Sequence, residues 1–185
     1  LEAGMRGKLA GDIHWNAGVY RTLSTDDILF VGTSHSAGYF TNYGKTRRQG
    51  VELGLNGSQH RVDWQINYSY LQATFRSAAC LLAANNSTAG TSAACPASDE
   101  IEVSKGDQIP GMPNHSLKLG LSWRALDWLR IGGNVQAFSS QYARGNENNQ
   151  HQAGTVGGET FLGAGKIPGY AILNLNAEAS LGGGW

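Results

Sequence analysis

The sequence predicts an all-β protein: about seven antiparallel strands running up and down as one wall of a transmembrane β-barrel. Three observations predict it. Apolar and polar residues alternate with period two in seven segments, the links between segments are alternately short and long, and tryptophans gather at the short links while tyrosines gather towards the long ones. Composition narrows the field. The 14 basic and 14 acidic residues cancel, so no basic excess is available to hold nucleic acid. Charged residues are 15% of the chain, too few for a disordered segment. The longest large-apolar run, Ile28-Leu29-Phe30-Val31, is far short of the ~20 residues that a spanning helix needs.

The first segment, Leu1–Leu9, sets Leu1, Ala3 and Met5 against Glu2, Arg6 and Lys8. In the second, Ile13, Trp15, Ala17 and Val19 alternate with His14, Asn16, Gly18 and Tyr20, and in the third, Val51, Leu53 and Leu55 alternate with Glu52, Gly54 and Asn56. The fourth sets Val62, Trp64, Ile66, Tyr68 and Tyr70 against Asp63, Gln65, Asn67 and Ser69. Leu117–Trp123, Leu129–Ala137 and Ala171–Ala179 continue the rule, each with an apolar and a polar face. An apolar face turned to lipid accounts for the clean segregation, because a mid-depth Arg or Lys there costs ~2–4 kcal/mol. A soluble β-sandwich segregates its faces too, so alternation alone does not decide.

The links decide more. Ala10-Gly11-Asp12, Gly57-Ser58-Gln59-His60 and Ala125-Leu126-Asp127 are hairpin-sized, whereas about 25–45, 76–112 and 144–168 read as long loops. In an up-and-down sheet every long loop then emerges on one side, the arrangement of outer-membrane barrels, with short periplasmic turns and long extracellular loops. Trp15, Trp64, Trp123 and Trp128 lie near short turns, and Tyr20, Tyr68, Tyr70, Tyr142 and Tyr170 towards long-loop ends, as two interfacial belts require. Single-chain bacterial barrels use even strand numbers, so seven strands are expected to be one wall of a larger barrel. Both ends fall within the pattern and read as cuts through a longer protein. Cys80 and Cys95, an even count at short separation in one small, polar, loop-like stretch, are expected to form a disulfide in an oxidising compartment, with two free thiols as the alternative.

The stretch Asn42-Tyr43-Gly44-Lys45-Thr46-Arg47-Arg48-Gln49-Gly50-Val51-Glu52 resembles a strand-opening motif of TonB-dependent outer-membrane receptors. Tyr68–Phe75, Pro110-Gly111-Met112-Pro113-Asn114-His115 and Pro168-Gly169-Tyr170 resemble further pieces of that family, in family order and spacing. Asn42, Gly44, Arg47, Arg48, Gly50 and Glu52 carry the motif. The resemblance implies that residues 1–185 are a C-terminal segment of a 22-strand barrel in the bacterial outer membrane. It also implies a plug domain and final strands outside this sequence, and energy-dependent import of a scarce nutrient, most readily a ferric siderophore. The partners it implies are outer-membrane lipid, the plug, the ligand and the TonB energy-transducing complex reached through the N-terminal region. A passive porin or adhesin-type barrel, and a soluble β-sandwich binding module, are the alternatives.

Enzyme chemistry finds no support. His14, His35, His60, His115 and His151 are scattered without metal-ligand spacing, so no metal or cofactor is expected. Gly163-Ala164-Gly165-Lys166 is followed by Ile167 where a phosphate loop needs Ser or Thr. Glu52 is expected to point inward with Arg6, Lys8, Lys118, Arg124, Arg130 and Glu178. Tyr39, Arg76, Gln141, Tyr142 and Arg144 are the candidate extracellular substrate contacts, since Arg and Tyr offer charge-assisted bonds and flat apolar area to anionic, aromatic chelates.

Overall fold

Each wall strand pairs with the next wall strand along the chain, and the result is a meander. The computed structural model describes residues 1–32 and 38–182; His35 lies outside them. The strands are β1 (Glu2–Lys8), β2 (Ile13–Gly32), β3 (Gly38–Gln59), β4 (Val62–Phe75), β5 (Ala79–Leu82), β6 (Glu100–Val103), β7 (His115–Leu126), β8 (Leu129–Phe138), β9 (Gln141–Tyr142), β10 (Gly154–Val156), β11 (Glu159–Phe161), β12 (Lys166–Ile167) and β13 (Tyr170–Ala179). Seven of them form one sheet in the order β1-β2-β3-β4-β7-β8-β13, every pair antiparallel. The small strands β5–β6, β9–β12 and β10–β11 belong to the two long connections.

Register lines up the apolar positions across the whole wall. Ala17 faces Leu53, Leu53 faces Tyr68, Tyr68 faces Leu117, Leu117 faces Ala137, and Ala137 faces Ala171. A slip of one residue would send each of these to the other face, so the alternation fixes the pairing. No second sheet covers them: Leu53 is 45% exposed, Ile66 40%, Leu119 37% and Leu173 63%. A soluble sandwich would bury those side chains against a facing sheet, so that alternative fails. The opposite face carries Arg6, Glu52, Lys118, Arg124, Arg130 and Glu178 at register positions shared with Asn16, Gly18, Asn67 and Gln136.

Tryptophans and glycines interlock at the short-turn end. Trp15 faces Gly7 and Trp64 faces Gly57, and a Cβ on either glycine would lie 2.8 Å from the indole. Each ring therefore lies on bare neighbouring backbone, which covers the ladder with apolar surface. Trp123 shares this face with Val62 and Ile131, and Trp128 sits in the turn before β8. Two of the tyrosines expected in the belt are elsewhere. Tyr20 faces Gly50, and its ring occupies the space a Cβ there would need. Tyr170 faces Phe138, with ring centroids 5.1 Å apart. Both hold even-numbered positions of the inner, polar face; the period-two rule puts Val19 and Ala171 outward instead. Tyr68 and Tyr70 do face outward, each against the His115 ring, and the Tyr68 hydroxyl lies 2.7 Å from His115 Nδ1.

The stretch expected as a loop at about 25–45 is mostly strand. β2 and β3 pair from Ile13↔Gly57 out to Gly32↔Gly38. The β-prone residues Ile28, Phe30, Val31, Tyr39, Phe40 and Tyr43 continue the ladder well past the apolar band. Asp26 has φ 56°, a left-handed conformation that Asp tolerates, and beyond it Asp27 turns to the inner side. There its carboxylate accepts from the Thr46 hydroxyl and from Arg48 Nη1, the latter at 2.8 Å.

This extended hairpin supports a cap. Tyr43, Phe75, Val31, Ile101, Val103, Leu81 and Ile109 form the apolar core of the described residues, and the core lies here, not in the wall. β4 enters it by changing its inner face from Asn67 and Ser69 to Leu71, Ala73 and Phe75. Cys80 and Cys95 are bonded across the cap, with Cα atoms 5.5 Å apart. Closing a loop of that separation constrains the unfolded chain by about 3 kcal/mol.

Candidate functional site

The two long connections, 76–114 and 139–169, are clasped together over the outer end of the wall. Asn86 Nδ2 donates to the Gly145 carbonyl at 2.7 Å, and Asn148 Nδ2 donates to Thr88 Oγ1 at 2.8 Å. The Ser87 N–H donates to His151 Nδ1 at 2.9 Å, and the Gln152 N–H to Ser87 Oγ at 2.9 Å. Asn149 binds the Gln108 main chain twice, accepting its N–H at 2.6 Å and donating to its carbonyl at 3.0 Å. Asn86, Asn146 and Asn148 are nearly fully buried. Buried amides persist only when their hydrogen bonds are made, so these contacts fix the relative position of both loops.

The clasp brings Arg144 onto the outer hairpin. Its guanidinium carbon lies 5.3 Å from the Phe30 ring centroid, and Phe30 meets Phe40 edge-on with centroids 5.4 Å apart. Two recesses, of about 240 and 220 Å³, each have Phe30 and Arg144 in their walls. Glu147 borders the larger one; burial pushes its carboxyl above the ordinary carboxylate range, against the N–H donated by Gly145. Burial also raises the Asp107 carboxyl, which borders the same cap core through the Phe75 main chain. Asp27 is held below the ordinary range: burial works upward on it, but the Thr46 hydroxyl and Arg48 guanidinium outweigh that. Such a surface of guanidinium, flat rings and small recesses suits an anionic molecule with aromatic parts.

The five candidate contacts divide. Gln141 and Tyr142 form β9, paired with β12, and Lys166 Nζ stands 4.7 Å from the Tyr142 ring centroid. The Tyr142 carbonyl accepts from the Gly111 N–H at 2.9 Å, which joins the two loops again. Arg144 follows two residues later in the same connection and meets Phe30. Tyr39 is on the outer hairpin opposite Val31, exposed. Arg76 is apart from these. Its N–H continues the ladder to the Lys45 carbonyl at 2.7 Å, so it falls on the outward face with Tyr70, Gln72 and Thr74. Phe30, Glu147 and the Asn–His clasp were not singled out by sequence, because nothing local distinguishes an Asn-rich loop that meets another loop from one that meets water.

The motif residues have structural work. A Cβ on Gly50 would stand 2.1 Å from the Tyr70 carbonyl oxygen, so any larger residue must displace backbone. One on Gly44 would stand 2.4 Å from Ser77 Oγ, whose hydroxyl accepts the Lys45 N–H while the Tyr43 hydroxyl donates to the Ser77 carbonyl. Arg48 pairs Asp27, Arg47 Nη2 donates to Gln72 Oε1 at 3.2 Å, and Asn42 and Glu52 are exposed. Among the described residues, no three His, Cys, Asp or Glu side chains gather as a metal site.

A family model described as TonB dependent receptor-like, beta-barrel matches residues 1–185. No match emerges among curated protein sequences. Among solved structures, the siderophore receptor PiuA of Acinetobacter baumannii is 18% identical with a TM-score of 0.62, over 97% of this chain and 22% of its own. The ferric citrate transporter FecA is 19% identical with a TM-score of 0.61, over 98% of this chain and 23% of its own. The copper transporter OprC is 17% identical with a TM-score of 0.59, over 97% of this chain and 22% of its own. At such identities the likeness shows the fold, and the chain spans about a fifth of each relative's length.

Proposed function

The chain belongs to the TonB-dependent receptor β-barrel family, whose members are bacterial outer-membrane barrels, and from that premise we propose that it is a C-terminal wall of a plugged barrel that imports a ferric siderophore. Here the exposed Leu53, Ile66, Leu119 and Leu173 meet hydrocarbon, the inner face meets the plug and water, and the cap stands outside the cell. The plug and the TonB-contacting region lie outside residues 1–185 in this reading. The observation that carries it is the cap: a clasped, disulfide-tied pair of loops presents Arg144 against Phe30, with Tyr142 on the same connection. Anionic aromatic chelates offer what those groups bind, and the solved relatives include a siderophore receptor, a ferric citrate transporter and a copper transporter.

The test is radio-iron uptake by cells carrying the intact receptor, supplied separately as catecholate, hydroxamate and citrate chelates. One chelate should enter with high affinity, and the double variant Arg144→Gln with Phe30→Ala should lose at least tenfold in apparent affinity for it. Uptake of all three chelates equal to that of a receptor-null strain would overturn the reading.

A further inference from the structure

The larger recess of the cap, about 240 Å³, brings together two groups of opposite charge that do not meet. Arg144 and Glu147 both border it, three residues apart on one connection, yet among the described residues they form no ion pair. Each is held elsewhere. Arg144 lies over the Phe30 ring, and Glu147 Oε1 accepts the Gly145 N–H at 3.0 Å. The other carboxyl oxygen, Oε2, is buried with no hydrogen-bond partner, on a residue only 6% exposed. A buried polar atom without a partner costs free energy that a bound donor would recover.

The rest of the recess is apolar or already neutralised. Phe30, Phe75, Ile109 and Met112 wall it, and Arg48, also at its border, is paired with Asp27. A visitor therefore meets one guanidinium without an ion pair, one carboxyl oxygen lacking a donor, and apolar surface around them. A plain anion would suit Arg144 and be repelled by an ionised Glu147; a plain cation would meet the reverse. A molecule with both charges close together suits both. Burial holds the Glu147 carboxyl above the ordinary range, and an ammonium beside it would restore its charged form.

We propose that this recess receives a zwitterionic end group of the ligand, its ammonium on Glu147 Oε2 and its carboxylate on Arg144, an assignment that rests on the cap facing substrate as proposed above. The substrate class is then a chelate that carries a free α-amino-acid terminus. The ammonium N–H donates a charge-assisted bond to the carboxyl oxygen that lacks one. The guanidinium fork matches the two oxygens of the carboxylate. The carbon chain behind the terminus lies on the apolar walls.

The experiment is equilibrium dialysis of the intact receptor in detergent, at neutral pH, against two ferric probes. The first is a catecholate acylated onto the side-chain nitrogen of lysine, which leaves the α-ammonium and α-carboxylate free. The second is the same compound acetylated on the α-nitrogen, which loses the cation and keeps the carboxylate. Wild-type protein should hold the first about tenfold better or more, and Glu147→Gln should cut that preference to about twofold or less. Arg144→Gln should weaken both probes about fivefold, since both keep the carboxylate. Asp107→Asn takes a carboxylate from the same cap but not from this recess, and should keep the preference. Heat-modifiable migration confirms that each variant is folded; should Glu147→Gln not fold, the wild-type ratio and Arg144→Gln read the site. Equal or absent binding of the two probes by wild type, a preference that survives Glu147→Gln, or one lost equally in Asp107→Asn would overturn the proposal. Import of a chelate in the radio-iron assay without this preference refutes the zwitterionic terminus alone, and the preference without import refutes transport alone.

Discussion

Leu53, in the middle of the wall, is 45% exposed, whereas Ile101, in the cap above it, is 0% exposed. The two regions dispose of their apolar residues differently because their solvents differ. The wall has no interior; its greasy face is finished by lipid, and its backbone groups are satisfied by neighbouring strands. The cap has a closed apolar interior of its own. It encloses Phe75, Tyr43, Ile101 and Val103, ties Cys80 to Cys95, and clasps two loops with buried amides. One chain therefore follows two burial rules, and the change of rule is written within single strands: β4 alternates Tyr68 with Ser69 in the wall, then places Leu71, Ala73 and Phe75 inward beneath the cap.

Substitutions that act on one region and spare the other sharpen this contrast. Phe75→Ala removes a fully buried ring tilted against Tyr43, with centroids 4.5 Å apart, and should cost about 3–5 kcal/mol. Hydrogen exchange on the intact protein in detergent should show the loss within 79–112 and leave Val62–Tyr70 protected; equal loss in the wall would mean that the regions are one cooperative unit. Leu53→Arg should cost about 2–4 kcal/mol in a bilayer, while Asn67→Arg, on the inner face, should cost far less. Comparable costs in vesicle unfolding titrations would break the assignment of faces. Gly50→Ala drives a methyl group against the Tyr70 carbonyl and should cost about 1–3 kcal/mol by the same titration, while Gly11→Ala, in an open turn with φ 73°, should strain only its own turn and leave the wall's exchange unchanged.

The smallest effect is pH-dependent. Burial raises the Glu147 carboxyl, so the folded cap prefers it neutral. Stability from this group is fully present below its unfolded value of about 4.3 and is lost as pH rises through the higher folded value. Asp27 works in the opposite sense, its contribution present above its unfolded value and lost as pH falls through its lowered folded one. Asp27, held low, stays ionised while pH falls through the raised Glu147 value, so cap exchange should slow across that interval after correction for intrinsic rates. Glu147→Gln should flatten that trend; an unchanged trend would assign it to another group, such as the similarly raised Asp107.

The wall was legible because period two is a one-dimensional signal. Trp64, Ile66 and Tyr68 alternate with Gln65 and Asn67 whatever lies beside them, and a sheet with one lipid-facing side permits one register. Where the alternation lapses, legibility lapses. Asp26 and Asp27 read as loop, yet a left-handed Asp26 and the Arg48–Asp27 pair carry the hairpin through that point. Tyr20 and Tyr170 read as belt residues from their distance along the chain, yet parity turns both inward.

The order of residues by itself determined the alternating segments of the seven wall strands, their sequential antiparallel pairing and the family, because each depends on neighbours one or two positions away or on a contiguous motif. Only the tertiary structure decided that Asn86 would meet Gly145, that Arg144 would lie on Phe30, and that Glu147 would border one recess with Phe75 and Ile109. Those contacts join residues far apart in the chain, and their energy comes from desolvation and partner geometry that no local pattern encodes.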